Sequence, residues 1–178
     1  MKKVLLSLAL IALFATPVLA DGGSIAGSYV ELVGPPEGVI GETVVVEMLA
    51  YNASVDAEWI ADFIITWPGC VDVLDGWYVY EGTNTGFILD FEAVESQARF
   101  TDGDGGYGEL YGDEFVTLFV ELTLTEDCVP TTQIINYHLY GDIWGDEPHE
   151  VEGTFEWPVT GGVANDNSTW TTVKAMYR

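Results

Sequence analysis

Residues 114–125 read EFVTLFVELTLT, and this stretch decides the fold. Valine or leucine occupies every second position from Val116 to Leu124, with threonine, phenylalanine or glutamate between them. Successive side chains of a β-strand point to opposite sides, so a period of two predicts a long strand with one buried and one exposed face.

The same alternation continues on both sides of this strand. No window shows the 3.6-residue apolar stripe of a helix, and turns rich in glycine, proline and acidic residues separate the apolar stretches. The pattern predicts an all-β chain, folded as a single sandwich of about nine strands over residues 21–160. The other predicted strands are 29–33, 43–51, 58–67, 71–74, 77–80, 87–91, 97–101, 134–140 and 151–157.

The first 20 residues have the organisation of a secretory signal peptide. Lys2 and Lys3 precede an apolar run over 4–14, and small residues lead up to a predicted cleavage site after Ala20. A bilayer-spanning anchor needs about 20 apolar residues, which this run lacks. We expect a secreted or cell-surface protein that does not insert in a membrane after cleavage.

The charge is strongly unbalanced: 29 Asp and Glu stand against 5 Lys and Arg, for a formal net charge of −24. Such a polyanion repels phosphate backbones, which excludes nucleic-acid binding through a basic surface. Hydrophobic residues make up 48% of the chain, too many for a disordered acidic tail. Cleavage would remove Lys2 and Lys3 and leave Arg99 as the sandwich's only Lys or Arg. We therefore expect a cation or a cationic partner to relieve the self-repulsion.

Cys70 and Cys128 are the only cysteines. In an oxidising compartment a lone pair predicts one disulfide, with two buried thiols or an intermolecular bridge as the alternatives.

The last residues differ from the rest in composition. A polar linker begins at Gly161, and the segment 169–178, TWTTVKAMYR, carries two of the five Lys and Arg residues. We interpret 161–178 as a linker with a basic, aromatic C-terminal tail, which is either a frayed end or a docking element. The expected docking residues are Trp170, Val173, Lys174, Tyr177 and Arg178.

Four stretches together resemble a known family. They are GETVVV at 41–46, ADFIITWP at 61–68 leading into VDVL at 71–74, ARF at 98–100, and YGDEFVTLFVEL at 111–122. This order of motifs resembles cohesin domains, over roughly residues 30–158.

The resemblance implies a nine-stranded jelly-roll that serves as a non-catalytic binding module and is related to carbohydrate-binding modules. The best-known cohesins bind calcium-loaded dockerins of polysaccharide-degrading enzymes. This sequence differs in having one domain, a cysteine pair, and neither a surface-layer repeat nor a dockerin. The resemblance therefore leaves the partner open.

The densest group of oxygen ligands lies in a glycine-rich stretch after the strand at 97–101. Asp102, Asp104, Glu109 and Asp113 are a candidate calcium site, because Ca²⁺ takes six to eight hard oxygens. The spacing is not that of an EF-hand, since Tyr107 stands at the position of the required glycine. A solvated acidic hairpin is the alternative.

Several aromatic residues are candidates for exposed positions, three on the predicted strand 77–80 and three in or near predicted loops. We expect them to form a platform on which sugar rings stack, to pack in the core, or to contact a protein. They are Trp77, Tyr78, Tyr80, Tyr107, Tyr111 and Trp144.

The sequence carries none of the common catalytic signatures. Gly-x-Ser-x-Gly, His-Glu-x-x-His and the phosphate-binding glycine loop are all absent, so we expect no enzyme. The leading hypothesis is a secreted binding or assembly module that engages a protein partner or copies of itself. The alternative is a carbohydrate-binding module associated with polysaccharide degradation.

Overall fold

The computed structural model describes residues 23–55 and 58–162. The expected signal peptide, residues 1–20, and residues 163–178, with all five expected docking residues, lie outside the described part. The described residues form ten strands and no helix, so none could span a membrane as a helix. The strands are β1 (Tyr29–Gly34), β2 (Gly38–Val39), β3 (Thr43–Tyr51), β4 (Ile60–Thr66), β5 (Val71–Tyr80), β6 (Leu89–Val94), β7 (Gln97–Asp102), β8 (Phe115–Leu124), β9 (Thr132–Gly141) and β10 (Glu150–Thr160).

The strands form two sheets that pack as a sandwich. One sheet has the order β1-β3-β8-β5, and the other has the order β2-β10-β9-β4-β7-β6. All pairings are antiparallel except the short one between β2 and β10. The all-β sandwich predicted from the sequence is confirmed.

The alternating stretch at residues 114–125 forms β8, which lies between β3 and β5. Its alternate residues Val116, Leu118, Val120, Leu122 and Leu124 are buried, as the period of two predicts. They face a core whose largest buried side chains, Trp157, Phe63 and Phe100, all come from the other sheet. Each sheet therefore supplies the apolar surface that the other one needs.

Two details differ from the sequence prediction. The strands expected at 71–74 and 77–80 are one strand, β5, with an irregularity in its pairing between Val73 and Asp75. The two-residue strand β2 was not predicted, because two residues carry no periodicity. At Gly38 in β2, a Cβ would come within 2.6 Å of the Trp157 ring, so this contact requires glycine.

The two ends of the sandwich differ. At one end Cys70 and Cys128 form the predicted disulfide, with their Cα atoms 5.1 Å apart. We call the opposite end, where β3, β5, β7 and β9 finish, the loop end. The segments there bond to one another: Asn84 Nδ2 donates to the Glu109 carbonyl at 2.9 Å.

Candidate functional site

Three of the four predicted calcium ligands meet at the loop end. Asp102, Asp104 and Glu109 each offer a carboxylate oxygen, and these oxygens lie within 4.8 Å of one another. Glu109 is buried, and its Oε2 accepts a hydrogen bond from the Ile88 N–H at 2.9 Å. Burial raises the pKa of Glu109, and the charges of Asp102 and Asp104 raise it further. A bound cation would offset this cost of gathering three acids.

Asp113, the fourth predicted ligand, does not join this group. Its Oδ1 accepts a hydrogen bond from the Tyr51 hydroxyl at 2.8 Å. Its backbone is in the left-handed region, with φ at 63°, where aspartate is one of the few residues tolerated. The structure therefore gives Asp113 a local partner at the end of β3.

An aromatic cluster also lies at the loop end, and two of its rings come from the loop that carries Asp104 and Glu109. Tyr111 packs on Trp59 with ring centroids 4.0 Å apart, and Trp59 meets Tyr107 edge to face at 6.4 Å. Tyr107 in turn meets Trp144 edge to face at 5.6 Å. Two of the four rings are exposed: Tyr107 is 63% and Trp144 is 70% exposed. Three predicted aromatic residues thus come together around Trp59.

Sequence reasoning did not find Trp59, because residue 59 falls within the predicted strand 58–67 and not in a predicted loop. It lies just before β4, and the backbone of Gly108 packs closely against its backbone. A Cβ at Gly108 would be only 2.6 Å from the Trp59 carbonyl oxygen. The neighbouring Ile143 is mostly exposed and has a φ of 59°, which is strained for a β-branched residue. Strained backbone of this kind concentrates at functional sites.

A polar pair of one buried and one half-buried residue anchors the segment that carries Trp144. His149 Nδ1 and Oε1 of the fully buried Glu58 share a hydrogen bond of 2.7 Å. Burial raises the pKa of Glu58, while the hydrogen bond with His149 works against that rise and raises the pKa of His149. The two residues are 91 positions apart, and no sequence motif links them.

The structure separates Tyr78 and Tyr80 from Trp77. Tyr80 stacks on Phe87 at 3.9 Å, and its hydroxyl donates to Glu114, so both its face and its edge are occupied. Burial and Glu114 raise the pKa of Tyr80 to about 12. Tyr78 also packs against the core. These two tyrosines therefore support the structure and do not form an open platform.

Trp77 belongs to a second surface, the outer side of the four-stranded sheet. Its ring stacks on Phe119 at 5.4 Å with an interplanar angle of 7°. We call this surface the aromatic face. Its side chains alternate with the buried ones along each strand and include Tyr29, Glu31, Val45, Glu47, Leu49, Tyr51, Trp77, Val79, Phe115, Thr117 and Phe119. Thr43, Asp75, Glu121 and Thr123 continue the same side toward the disulfide end.

The aromatic face is both apolar and open. Phe115 is 46% and Val79 47% exposed. Together with Leu49 and Phe119 they line a shallow depression of about 520 Å³, whose wall also includes Glu47 and Glu81. A soluble protein seldom leaves such a contiguous apolar surface uncovered.

The outer side of the six-stranded sheet, which we call the polar face, has a different character. His138 Nε2 lies 3.1 Å from a Glu150 carboxylate oxygen, and its Nδ1 lies 3.4 Å from one of Glu152. Thr154 and Glu156 continue the same side of β10. The two faces of the sandwich thus offer different chemistry to a partner.

No protein-family model and no curated protein matches the sequence. Solved structures do match the fold. The N-terminal domain of the adhesin Sgo0707 from Streptococcus gordonii is 9% identical and has a TM-score of 0.51, with 76% of this chain and 33% of that chain covered. A putative membrane anchored protein from Corynebacterium diphtheriae is 13% identical with a TM-score of 0.50, covering 77% and 36%. This chain thus spans about a third of each.

Cohesin modules also match. One, from a Clostridium perfringens family 33 glycoside hydrolase, is 10% identical with a TM-score of 0.49, with 75% of this chain and 97% of the module covered. The all-β sandwich that the cohesin resemblance implies is present in the structure itself, as two packed sheets. Likeness at this identity concerns the fold alone.

Proposed function

We propose that the protein is an exported, non-catalytic interaction module that binds a protein partner, or further copies of itself, through the aromatic face. The observation that carries this proposal is the exposed apolar surface of Phe115, Val79 and Trp77, with the half-buried Phe119, on the outer side of the four-stranded sheet. Contiguous apolar patches mark protein contacts, and aromatic side chains are enriched at their centres. The proposed location is the extracellular space or the cell surface.

Placing a charge in the centre of this face is expected to release the protein from the cell surface. In Phe115→Asp or Val79→Asp, an uncompensated carboxylate would have to be buried in the interface, which is costly. We expect at least about a tenfold loss of the surface-bound fraction, measured by immunoblot of cell-surface and medium fractions of the producing organism.

The matched control is Ile134→Asp, which places the same charge at an exposed apolar residue of the polar face. It should leave the distribution unchanged. Equal release by Ile134→Asp, or retention of both Phe115→Asp and Val79→Asp, would contradict the proposal.

Carbohydrate binding at the loop end is the second candidate function. It is favoured by the open rings of Tyr107 and Trp144 at the same end as carboxylates that can accept hydrogen bonds from hydroxyl groups. We expect Trp144→Ala to abolish pull-down by insoluble polysaccharides, whereas Trp77→Ala, on the other surface, should have no effect. Failure of the unaltered protein to bind any polysaccharide in the presence of calcium would eliminate this function.

We also propose that Asp102, Asp104 and Glu109 bind Ca²⁺. Millimolar Ca²⁺ should then raise the melting temperature by a few degrees above its value in chelator at matched ionic strength, because a ligand specific to the folded state stabilises it. Asp104→Asn should remove the shift, and Asp72→Asn, at an exposed acid of β5, should retain it. An equal rise in melting temperature with Mg²⁺ or NaCl would show that charge screening, and not a Ca²⁺ site, stabilises the protein.

A further inference from the structure

We propose that residues 169–178 of one copy dock on the aromatic face of a second copy. This inference rests on the proposed function, because assembly between copies is what brings the segment to another molecule's face. It identifies both the occupant of the face and its source.

Charge complementarity favours residues 169–178 as the occupant of the aromatic face. Glu31 and Glu47 belong to the aromatic face, and Glu81 lines its depression. No Lys or Arg belongs to this face. Arg99 lies in the other sheet, where its guanidinium donates to Gln97 Oε1 at 2.7 Å. After loss of the expected signal peptide, Lys174 and Arg178 are the only Lys or Arg residues besides Arg99.

The composition of the segment also matches the face. Trp170, Met176 and Tyr177 supply apolar side chains for the depression between Leu49 and Phe119, and the two cations can reach its carboxylates. Trp and Arg are the residues that most often dominate the binding energy of interfaces. Six residues, 163–168, separate the segment from the described body, a reach of about 20 Å when extended.

A second copy's aromatic face is a poorer occupant. Face-to-face packing of two copies is symmetric, so it would bring Glu47 and Glu81 of one molecule near the same carboxylates of the other. Like charges across an interface repel each other, and the face has no cation to offset that repulsion. Docking of the segment replaces this repulsion by attraction.

The proposed contact joins two different surfaces, a donor segment and an acceptor face. Such a heterologous contact does not close by twofold symmetry and extends into a ring or an open chain. Self-association should therefore increase with concentration without stopping at a dimer, and it should weaken as salt screens Lys174 and Arg178.

The test uses two charge-reversed forms of the chain 21–178, studied by sedimentation velocity. Variant A carries Lys174→Glu and Arg178→Glu, and variant B carries Glu47→Lys and Glu81→Lys. Each alone should self-associate at least about tenfold more weakly than the unaltered chain. An equimolar mixture should assemble again, because at every contact between A and B the segment of one variant is opposite in charge to the face of the other.

The matched control for variant B is Glu150→Lys with Glu156→Lys, which makes the same change in net charge on the polar face. It should assemble as the unaltered chain does. A monomeric unaltered chain, unimpaired assembly of A or B alone, or a mixture that stays monomeric would each overturn the inference. If the unaltered chain is monomeric while Phe115→Asp still abolishes surface retention, the proposed function stands and only this occupant is wrong.

Discussion

Replacing both Cys70 and Cys128 by alanine is expected to lower the free energy of unfolding by about 4 kcal/mol. The two residues are 58 positions apart and close a loop that contains β5, β6, β7 and β8. In the chain-entropy account, removing this cross-link frees the unfolded chain and costs about 4 kcal/mol for a loop of that length. This is a large share of the 5–15 kcal/mol typical of whole domains.

Urea denaturation of the oxidised protein and of the double alanine variant, followed by tryptophan fluorescence, measures this loss. Reductant should destabilise the unaltered protein to a similar extent and leave the variant unchanged, which serves as the control. A difference below about 1 kcal/mol, or a further effect of reductant on the variant, would contradict the prediction.

Local periodicity predicted most of the strands because burial in a sandwich follows the alternation of side chains. It worked best in β3 and β8, where nine consecutive residue pairs are in register from Thr43 opposite Thr123 to Tyr51 opposite Phe115. A strand paired without interruption keeps one set of residues inside along its whole length.

The same reasoning could not locate the aromatic face, and β5 shows why. Val71 and Val73 are buried, yet Trp77 and Val79, which have the same parity in the sequence, are exposed. The irregularity between Val73 and Asp75 exchanges the two sides of the strand, and nothing in the local pattern marks it. Trp77 and Tyr78 therefore could not be assigned to surface and core.

At the loop end, the sequence predicted a group of residues that lie close together in the chain and missed contacts between residues that lie far apart. Asp102, Asp104 and Glu109 lie close together in the sequence, so their grouping was visible from the sequence alone. Glu58 and Trp59 are neighbours in the sequence, but their partners His149 and Tyr107 come from other loops, which only the closed sandwich brings to them. Their side chains carry no pattern that anticipates the contact.

Asn52→Leu is expected to cost about 3 kcal/mol or more of stability and to release the loops that hold the aromatic cluster. The buried side chain of Asn52 donates to the carbonyl oxygens of Glu58 at 3.0 Å and Leu110 at 2.8 Å. Its Oδ1 accepts from the Ser54 N–H at 2.9 Å. Leucine has a similar size but leaves these three groups buried without that partner, at about 1–3 kcal/mol each.

The matched control is Asn136→Leu, because Asn136 is exposed on the polar face and its replacement should change stability by less than about 0.5 kcal/mol. Asn52→Asp separates hydrogen bonding from packing, since it keeps the shape but turns a carboxylate toward two carbonyl oxygens. Burial would raise the pKa of that carboxyl in the folded state, so the folded state would hold its proton longer than the unfolded state. The loss should then grow as the pH rises above about 4, the ordinary carboxyl pKa. If Asn52→Asp loses little stability at any pH in urea denaturation, Asn52 matters for its volume and not for its hydrogen bonds.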